Sequence, residues 1–439
     1  MKNRWWAAVA VLGVAGLTAA TRPAPPPTAG AKNAPASVSA SSGAPASART
    51  PASARGPFDA LAAIRDGYEA APFPRRTTAG SIARGNLDAR IDSLTGWVEH
   101  DRESGAEMRK PLVDTLLSRT QFFGTFSDFD RALALVEPPS ARSRAADLDA
   151  WASVQSALHE FEAALAALAA AERMDGKPRT AALSTIHLAL GMDLPNVLAL
   201  RAGTAAEAPS FESLSALAAA QAALGRFDAA DATYRRALAI YRDVSPFPVA
   251  WVEFQRGMMW AESAGLPERA LPLYREAVSR LPGYVVASVH LSEIEAQTGA
   301  VESAVARLTA LAEKVEDPEP SAALSRLLEA SDPERARHYA EDARRGYESL
   351  LAKHRHAFLD HAAEFFAEAG KDPRRALALA EENLKLRATD RAYLLAIRCA
   401  RAAGNANRAC ALAKMAGEGR PSVPLAAMRG EVSKSCPGT

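Results

Sequence analysis

The chain contains few aromatic residues and few cysteines, and its charges nearly cancel. Of its 439 residues, 6% are aromatic and three are cysteine, and the formal net charge is +1. A near-neutral balance gives no electrostatic surface that would attract nucleic acid or anionic lipid, so we expect neither as a partner. The apolar residues make up 48% of the chain and are largely alanine, which favours closely packed helices.

The common catalytic motifs are also absent. The sequence has no phosphate-binding P-loop, no G-x-S-x-G nucleophile elbow, no H-E-x-x-H helix and no paired C-x-x-C motif. These absences argue against the familiar classes of enzyme. We therefore predict a protein that is not an enzyme and that uses no cofactor.

Long apolar runs are missing except near the N-terminus. Lys2 and Arg4 precede an uncharged run over residues 7–20, which ends in small residues at the spacing that a signal peptidase needs. This pattern predicts a secretory signal peptide, residues 1–20, and a periplasmic or secreted protein with no integral membrane segment after cleavage. An uncleaved anchor is the alternative, although the run is shorter than the ~20 residues of a membrane span. Position 21 is Thr rather than Cys, so we expect no lipid attachment.

The composition divides the rest of the chain into four parts. Residues 21–57 are rich in Ala, Pro and Ser and predict a disordered linker, with a proline-rich ligand motif as the alternative. Residues 58–109 predict an N-terminal helical cap, and residues 110–420 predict a helical repeat array. Residues 421–439 form a C-terminal tail, which is expected to cover the other end of the array.

A recurring pattern is the main reason for predicting an array. A glycine-marked turn is followed by Ala, an apolar or aromatic residue and a further small residue, and Gly265, Ala270, Tyr274 and Ala277 form the clearest copy. The step from Ala270 to the matching Ala304 is 34 residues. A period of this length indicates stacked helical hairpins, because each unit buries its apolar face only against its neighbours.

These residues resemble the tetratricopeptide repeat (TPR) family, which has small and aromatic residues at these positions of two antiparallel helices. The resemblance implies an all-α fold, a right-handed α-solenoid of antiparallel helical hairpins, whose first helices line an inner groove. It also implies a partner protein or peptide. The match extends over residues 214–237, 254–282, 291–308 and 393–421, with weaker copies near Phe123 and Trp151.

We therefore predict an exported scaffold or adaptor that binds a peptide or helix of a partner in this groove. A passive structural spacer is an alternative. The predicted partner-binding residues are the first-helix positions that packing does not use: Gln255, Arg256, Met259, His290, Glu293, Arg391, Arg398 and Arg401.

A polar cluster between His354 and Glu364 supports a third hypothesis, which is an enzyme or metal-binding protein with an unrecognised site. His356, Asp360 and Glu364 are four residues apart and share one helix face. A single helix face rarely completes a coordination shell, so an ordinary solvated face is favoured and no metal site is predicted.

The cysteines lie near the C-terminus. Cys399 and Cys410 flank the predicted turn at Gly404, so a bridge between them is geometrically open. A bridge from either one to Cys436 and three free thiols are the alternatives.

Overall fold

The computed structural model describes residues 73–100, 104–136 and 144–436. The predicted signal peptide, the predicted linker and residues 58–72 of the predicted cap lie outside these residues. The described residues form twenty helices and no strand. In chain order the helices are α1 Gly80–His100, α2 Ser104–Phe123, α3 Ser127–Val136, α4 Ala145–Ala157, α5 Phe161–Asp175, α6 Thr180–Leu190, α7 Leu194–Glu207, α8 Phe211–Ala223, α9 Phe227–Ile240, α10 Pro246–Met258, α11 Pro267–Arg280, α12 Val285–Gln297, α13 Val301–Ala312, α14 Glu319–Leu328, α15 Pro333–Lys353, α16 Arg355–Ala367, α17 Pro373–Leu386, α18 Asp390–Ala402, α19 Ala406–Ala416 and α20 Val423–Ser433.

The hairpin of α10 and α11 shows how the repeat pattern folds. Gly265 turns the chain in a left-handed conformation, with φ of 69°, and Pro267 begins α11, where its missing N–H is not needed. Ala270 and Tyr274 are both fully buried. A methyl group on Gly257 would lie 2.4 Å from the ring of Tyr274, so the two helices cross in close contact.

A π-helical turn, Met259–Ser263, continues α10 at its C-terminal end. The backbone N–H of Ala264 bonds to the carbonyl of Met259, five residues earlier. A π turn adds a residue to the helical repeat and so rotates the side chains that follow it. The turn carries Glu262, which belongs to the inner surface described below.

The hairpins stack in order into a right-handed α-solenoid, which confirms the predicted fold class. Residues 180–210 lack the aromatic repeat positions, yet they form the hairpin of α6 and α7, which turns at Gly191 with φ of 70°. The weaker sequence copies near Phe123 and Trp151 correspond to α2 to α5. None of the helices that the structure describes has the length and apolar character that crossing a bilayer requires.

The solenoid is wound tightly, so that one winding rests on the next. We call α2 to α11 the first winding and α12 to α20 the second winding. The backbone N–H of Ser127 donates to Glu316 Oε2 at 2.6 Å, across 189 residues. His159 Nδ1 lies 3.1 Å from the carbonyl oxygen of His356, across 197 residues. One turn of the superhelix thus takes roughly this length of chain.

The contact between windings, the winding junction, is formed by the hairpin turns of the first winding and helix starts of the second. A methyl group placed on any of four turn glycines of the first winding would meet a residue of the second winding within 4 Å. The turns and their partners are Gly124 with Asp317, Gly191 with Thr389, Gly225 with Pro421 and Gly265 with Pro424. The tight superhelix therefore rests on glycine turns that carry no side chain.

The C-terminal tail contributes α20, which packs on α18 and α19. A disulfide joins Cys410 of α19 to Cys436, beyond the end of α20. Cys399 is a buried free thiol, so the sequence alternative that pairs a cysteine with Cys436 is the one formed in the structure.

Candidate functional site

Ionisable side chains from five first helices converge on the inner face of the second winding and its contact with α10. They come from the π turn that extends α10 and from α12, α14, α16 and α18. We call this set the axial charge network, and its members are Glu262, His290, Glu293, Arg326, Asp360, Glu364, Glu368, Arg391 and Arg398. Each first helix from α10 to α18 supplies at least one member, because the first helices of a TPR-type solenoid face its axis.

One half of the network is centred on Arg391. Its Nη1 donates to Glu262 Oε2 at 3.1 Å, and its Nη2 lies 3.7 Å from Glu364 Oε1. The side chains of Glu262 and Glu364 are 13% and 9% exposed. A single guanidinium therefore lies between two largely buried carboxyl groups on different helices.

The other half alternates in charge across four helices. Arg326 bonds to Glu293 and lies 3.5 Å from Glu368 Oε2, and Arg398 Nη2 donates to Glu368 Oε1 at 3.1 Å. These pairs tie α12, α14, α16 and α18 together across the inner face. Removing one partner from a desolvated pair of this kind strongly destabilises the fold, since the other charge is then left buried.

His290 lies between the two halves. The side chain is fully buried, and its Nδ1 is 3.8 Å from Glu262 Oε1 and 3.7 Å from Glu293 Oε2. Neither ring nitrogen has a hydrogen-bond partner within the described residues. Burial, together with the positive charge of Arg391, lowers the pKa of His290 to about 3, so the imidazole is neutral at physiological pH.

Burial also shifts the carboxyl groups of the network. It raises the pKa of Glu262 to about 7 and that of Glu364 to about 8, and the charge of Arg391 opposes both shifts. Burial is the largest influence on Asp360 and acts in the same direction, but the charges of Arg387, His361 and Arg391 together outweigh it and lower the pKa of that carboxyl. The network therefore mixes ionised and readily protonated carboxyl groups at neutral pH.

A cavity of 280 Å³ adjoins the network at the winding junction. Its wall is mostly apolar, with Met259, Phe227 and Leu394 among its residues, and Glu262, Asp360 and Glu364 lie at its polar end. The cavity lies between the first winding, α6 to α10, and the second winding at α16 to α18.

A larger cavity of 1120 Å³, which we call the notch, opens at the hairpin turns of the second winding. It is bordered by the turn between α12 and α13, the turn between α14 and α15, and the turn between α16 and α17. Alanines such as Ala296, Ala340 and Ala367 form its apolar part, and Glu293 and Arg326 of the axial charge network lie at its inner end. Glu364 borders both cavities.

The structure separates the eight predicted groove residues into three groups. Gln255, Met259, Arg391 and Arg398 line the smaller cavity. His290 and Glu293 belong to the axial charge network, and Glu293 also borders the notch. Arg256 is buried in ion pairs with Asp231 and Glu253, while Arg401 pairs with Glu431 at the surface.

The polar face from His354 to Glu364 is divided among separate partners. His356 Nδ1 lies 2.9 Å from Glu160 Oε1, Asp360 bonds to Arg387, and Glu364 is near Arg391. In the part of the chain that the structure describes, no three His, Cys, Asp or Glu side chains form a group that could hold a metal ion.

Sequence reasoning did not identify Glu262, Arg326, Glu364 and Glu368 as a connected set. The single sequence feature that pointed toward them is their place on first helices. Glu262 was hidden because the π turn rotates it toward the axis, and hairpin periodicity assumes a regular α-helix.

The comparisons with known proteins agree with the hairpin geometry. Residues 261–327 match the tetratricopeptide repeat family. The matched TPR segment runs from the π turn through α11, α12 and α13 to α14, and so contains four members of the axial charge network. No curated protein matches the chain.

Solved structures with similar helical arrangements have little sequence in common with this chain. The APC/C hetero-tetramer Cut9–Hcn1 has 12% identity and a TM-score of 0.42, with 85% of this chain and 80% of that chain covered. The human IFIT1 dimer with m7Gppp-AAAA has 12% identity, a TM-score of 0.39 and coverage of 80% and 84%. Yeast Tom70 has 11% identity, a TM-score of 0.31 and coverage of 86% and 96%. These similarities are in helical arrangement and do not indicate a function.

Proposed function

We propose that this chain is an exported scaffold that binds a partner protein through the notch of its TPR-type solenoid. The observation that supports the proposal is a cavity of 1120 Å³ at the turns of three successive hairpins, where alanines lie among charged side chains of both signs. A concave surface with this mixture suits a peptide or a helix, since apolar contact supplies affinity and placed charges supply orientation.

The cavity beside the groove residues predicted from sequence measures 280 Å³, whereas the notch measures 1120 Å³. Arg391 and Arg398, two of the predicted contacts, are ion-paired with Glu262 and Glu368 of the same chain. Their charges already have partners, and binding there would have to replace those pairs. The notch offers the more accessible part of the same inner surface.

The proposed export rests on the N-terminal pattern of residues 1–20, and the disulfide between Cys410 and Cys436 is consistent with an oxidising compartment. We propose a periplasmic or secreted location, without lipid attachment. N-terminal sequencing of the mature protein tests this proposal. A mature chain that begins at Thr21 supports the proposal. A chain that retains residues 1–20 and is found in the cytoplasmic fraction contradicts it.

Site-specific crosslinking tests the scaffold. A photo-reactive amino acid at Ala340, within the notch, should capture a specific protein in intact cells. The same group at Ala169, an exposed position on α5, serves as the matched control. Equal capture at both positions, or none at Ala340, would count against the notch as the partner-binding surface.

The alternative of an enzyme has one observation in its favour, which is that Glu262, Asp360 and Glu364 line one cavity with different pKa values. Asp360 and Glu262 each have an arginine partner, as expected of a structural ion-pair network. The scaffold is therefore the function that the geometry supports best.

A further inference from the structure

The hairpin turns of the two windings differ in what they contact. In the first winding, turns at Gly124, Gly191 and Gly225 each meet a residue near a helix start of the second winding. In the second winding, a methyl group on Gly299 or Gly404 would meet no atom within 4 Å in the described part of the chain. The same structural edge is therefore covered in one winding and open in the other.

The groups that cover the first-winding edge share a chemical character. They are short residues at or just before the start of a helix: Asp317 before α14, Thr389 before α18, and Pro421 and Pro424 around the start of α20. Ser422, between the two prolines, is extended with φ of −68° and ψ of 118°, and its side chain accepts a hydrogen bond from the N–H of Leu425. The turn edge thus receives capped helix starts.

The notch lies on the open edge of the second winding. It is bordered by Gln297 and Val301 beside the Gly299 turn, and by Gly370 and Lys371 at the turn between α16 and α17. α14 has ten residues and its flanking first helices have thirteen each, so the hairpin in the middle ends early and leaves the space of the notch.

The notch is lined by carboxylates and by the cations Arg326, Arg337, Arg344 and Lys371, and one carboxylate oxygen among them is left to complement a helix start electrostatically. A helix N-terminus carries a partial positive charge and unpaired N–H donors. Glu293 Oε2, at the inner end of the notch, is buried and has no hydrogen-bond partner among the described residues. The winding junction provides a precedent, because the N–H of Ser127 at the start of α3 donates to a carboxylate oxygen of Glu316.

We infer that the notch binds the N-terminal end of a helix in a partner protein, with a short extended segment leading into it. The inference rests on the proposed function and names the class of partner segment. The helix start of the partner would occupy the open turn edge of the second winding, as helix starts of the chain itself occupy the turn edge of the first winding.

A peptide from the chain itself supplies the probe. A labelled peptide of residues 417–433 carries the start of α20 and the extended segment before it. It should bind the purified full-length protein, whereas a peptide of residues 425–433, which lacks the extended segment and the cap, should bind at least ~10-fold more weakly. Fluorescence anisotropy measures both affinities.

Substitutions place the binding. Ala340→Trp fills the notch, and Val301→Trp adds bulk at its exposed border; each should weaken binding of the 417–433 peptide at least ~10-fold. Ala169→Trp on α5 should leave it within ~2-fold. Circular dichroism checks the fold, and Val301, which is 39% exposed, provides a test if the Ala340 variant does not fold.

Three outcomes would overturn the inference. The first is no binding of the 417–433 peptide. The second is binding to the Ala340 and Val301 variants that equals binding to the wild type, which would mean that the peptide displaces the chain's own segment at Gly225. The third is self-association of the protein that the same variants abolish. If the peptide behaves as expected and cellular crosslinking captures no protein, the proposed scaffold function fails while the helix-start site stands. Specific capture at Ala340 with no peptide binding gives the reverse result.

Discussion

Arg391 and Glu262 join the two windings through a hydrogen bond of 3.1 Å between residues 129 positions apart. The bond links the start of α18 to the π turn that extends α10, and Arg391 also lies near Glu364 of α16. The pair is largely shielded from water, with the two side chains 27% and 13% exposed. Its position makes it the contact through which the axial charge network stabilises the tight superhelix.

Arg391→Ala is expected to lower the free energy of unfolding by about 2 to 4 kcal/mol, because it leaves two buried carboxyl groups without their shared cation. Urea denaturation followed by circular dichroism measures the change. Arg401→Ala is the matched control on the same helix. Arg401 pairs with the exposed Glu431, and its loss should change stability by less than about 1 kcal/mol. Similar losses in both variants would show that the network is not stabilising.

Stability should fall as the pH rises from 6.5 to 8. Burial raises the pKa of Glu262 to about 7 and that of Glu364 to about 8, so the folded state holds protons that the unfolded state has released at these pH values. By linkage, the free energy of unfolding decreases by about 1 to 2 kcal/mol across this window. His290, whose pKa is lowered by burial, contributes its change below pH 6.5.

The double variant Glu262→Gln/Glu364→Gln tests the assignment of this pH dependence. Its urea midpoint should vary less between pH 6.5 and 8 than that of the wild type, since neither side chain then titrates, although Glu253, whose pKa burial raises to about 7, still does. A slope equal to that of the wild type would assign the pH dependence to other groups.

Gly225→Ala should destabilise the winding junction more than Gly404→Ala. Both glycines have left-handed backbone angles, with φ of 71° and 68°, so both substitutions share a backbone strain of about 1 to 2 kcal/mol. At Gly225 the new methyl group would also lie 2.4 Å from Pro421 Cβ, whereas at Gly404 it meets nothing within 4 Å. We expect an additional loss of about 1 to 3 kcal/mol at Gly225.

Hydrogen exchange distinguishes the cause of the Gly225 effect. Amides of the segment around Pro421 should exchange faster in Gly225→Ala and at the wild-type rate in Gly404→Ala. Identical exchange in the two variants would mean that the windings do not depend on close contact at this turn.

Removal of the disulfide by Cys410→Ser/Cys436→Ser should lower the free energy of unfolding by about 3 kcal/mol, because the bridge closes a loop with a sequence separation of 26. A reductant should destabilise the wild type by a similar amount and leave the double variant unchanged. Thermal unfolding with and without reductant measures both effects. A double variant as stable as the oxidised wild type would contradict the prediction.

The hairpins could be predicted from sequence because their determinants are local. Gly265, Ala270 and Tyr274 lie within ten residues of one another, and turn, close crossing and buried aromatic follow directly from their side chains. The hairpin of α6 and α7 was harder to recognise, since Gly191 marks its turn without the aromatic partner of the other copies.

The winding junction and the axial charge network could not be predicted in the same way. The partner of Gly225 is Pro421, and this match depends on small rotations accumulated over several hairpins, which no local pattern encodes. His290 was predicted to face a groove, but its ring packs against Phe254 and Tyr274 of the preceding hairpin and is buried. Predicted contacts on first helices thus became interior ion pairs.

The stacked windings also have a consequence for the order in which the chain folds. Each hairpin forms from residues close in sequence, which is entropically inexpensive and fast. The bonds from Ser127 to Glu316 and from His159 to His356 close loops of nearly two hundred residues, so they form only after the intervening hairpins have ordered the chain. A nascent chain would therefore contain formed hairpins that lack the contacts between windings until its later helices have been synthesised.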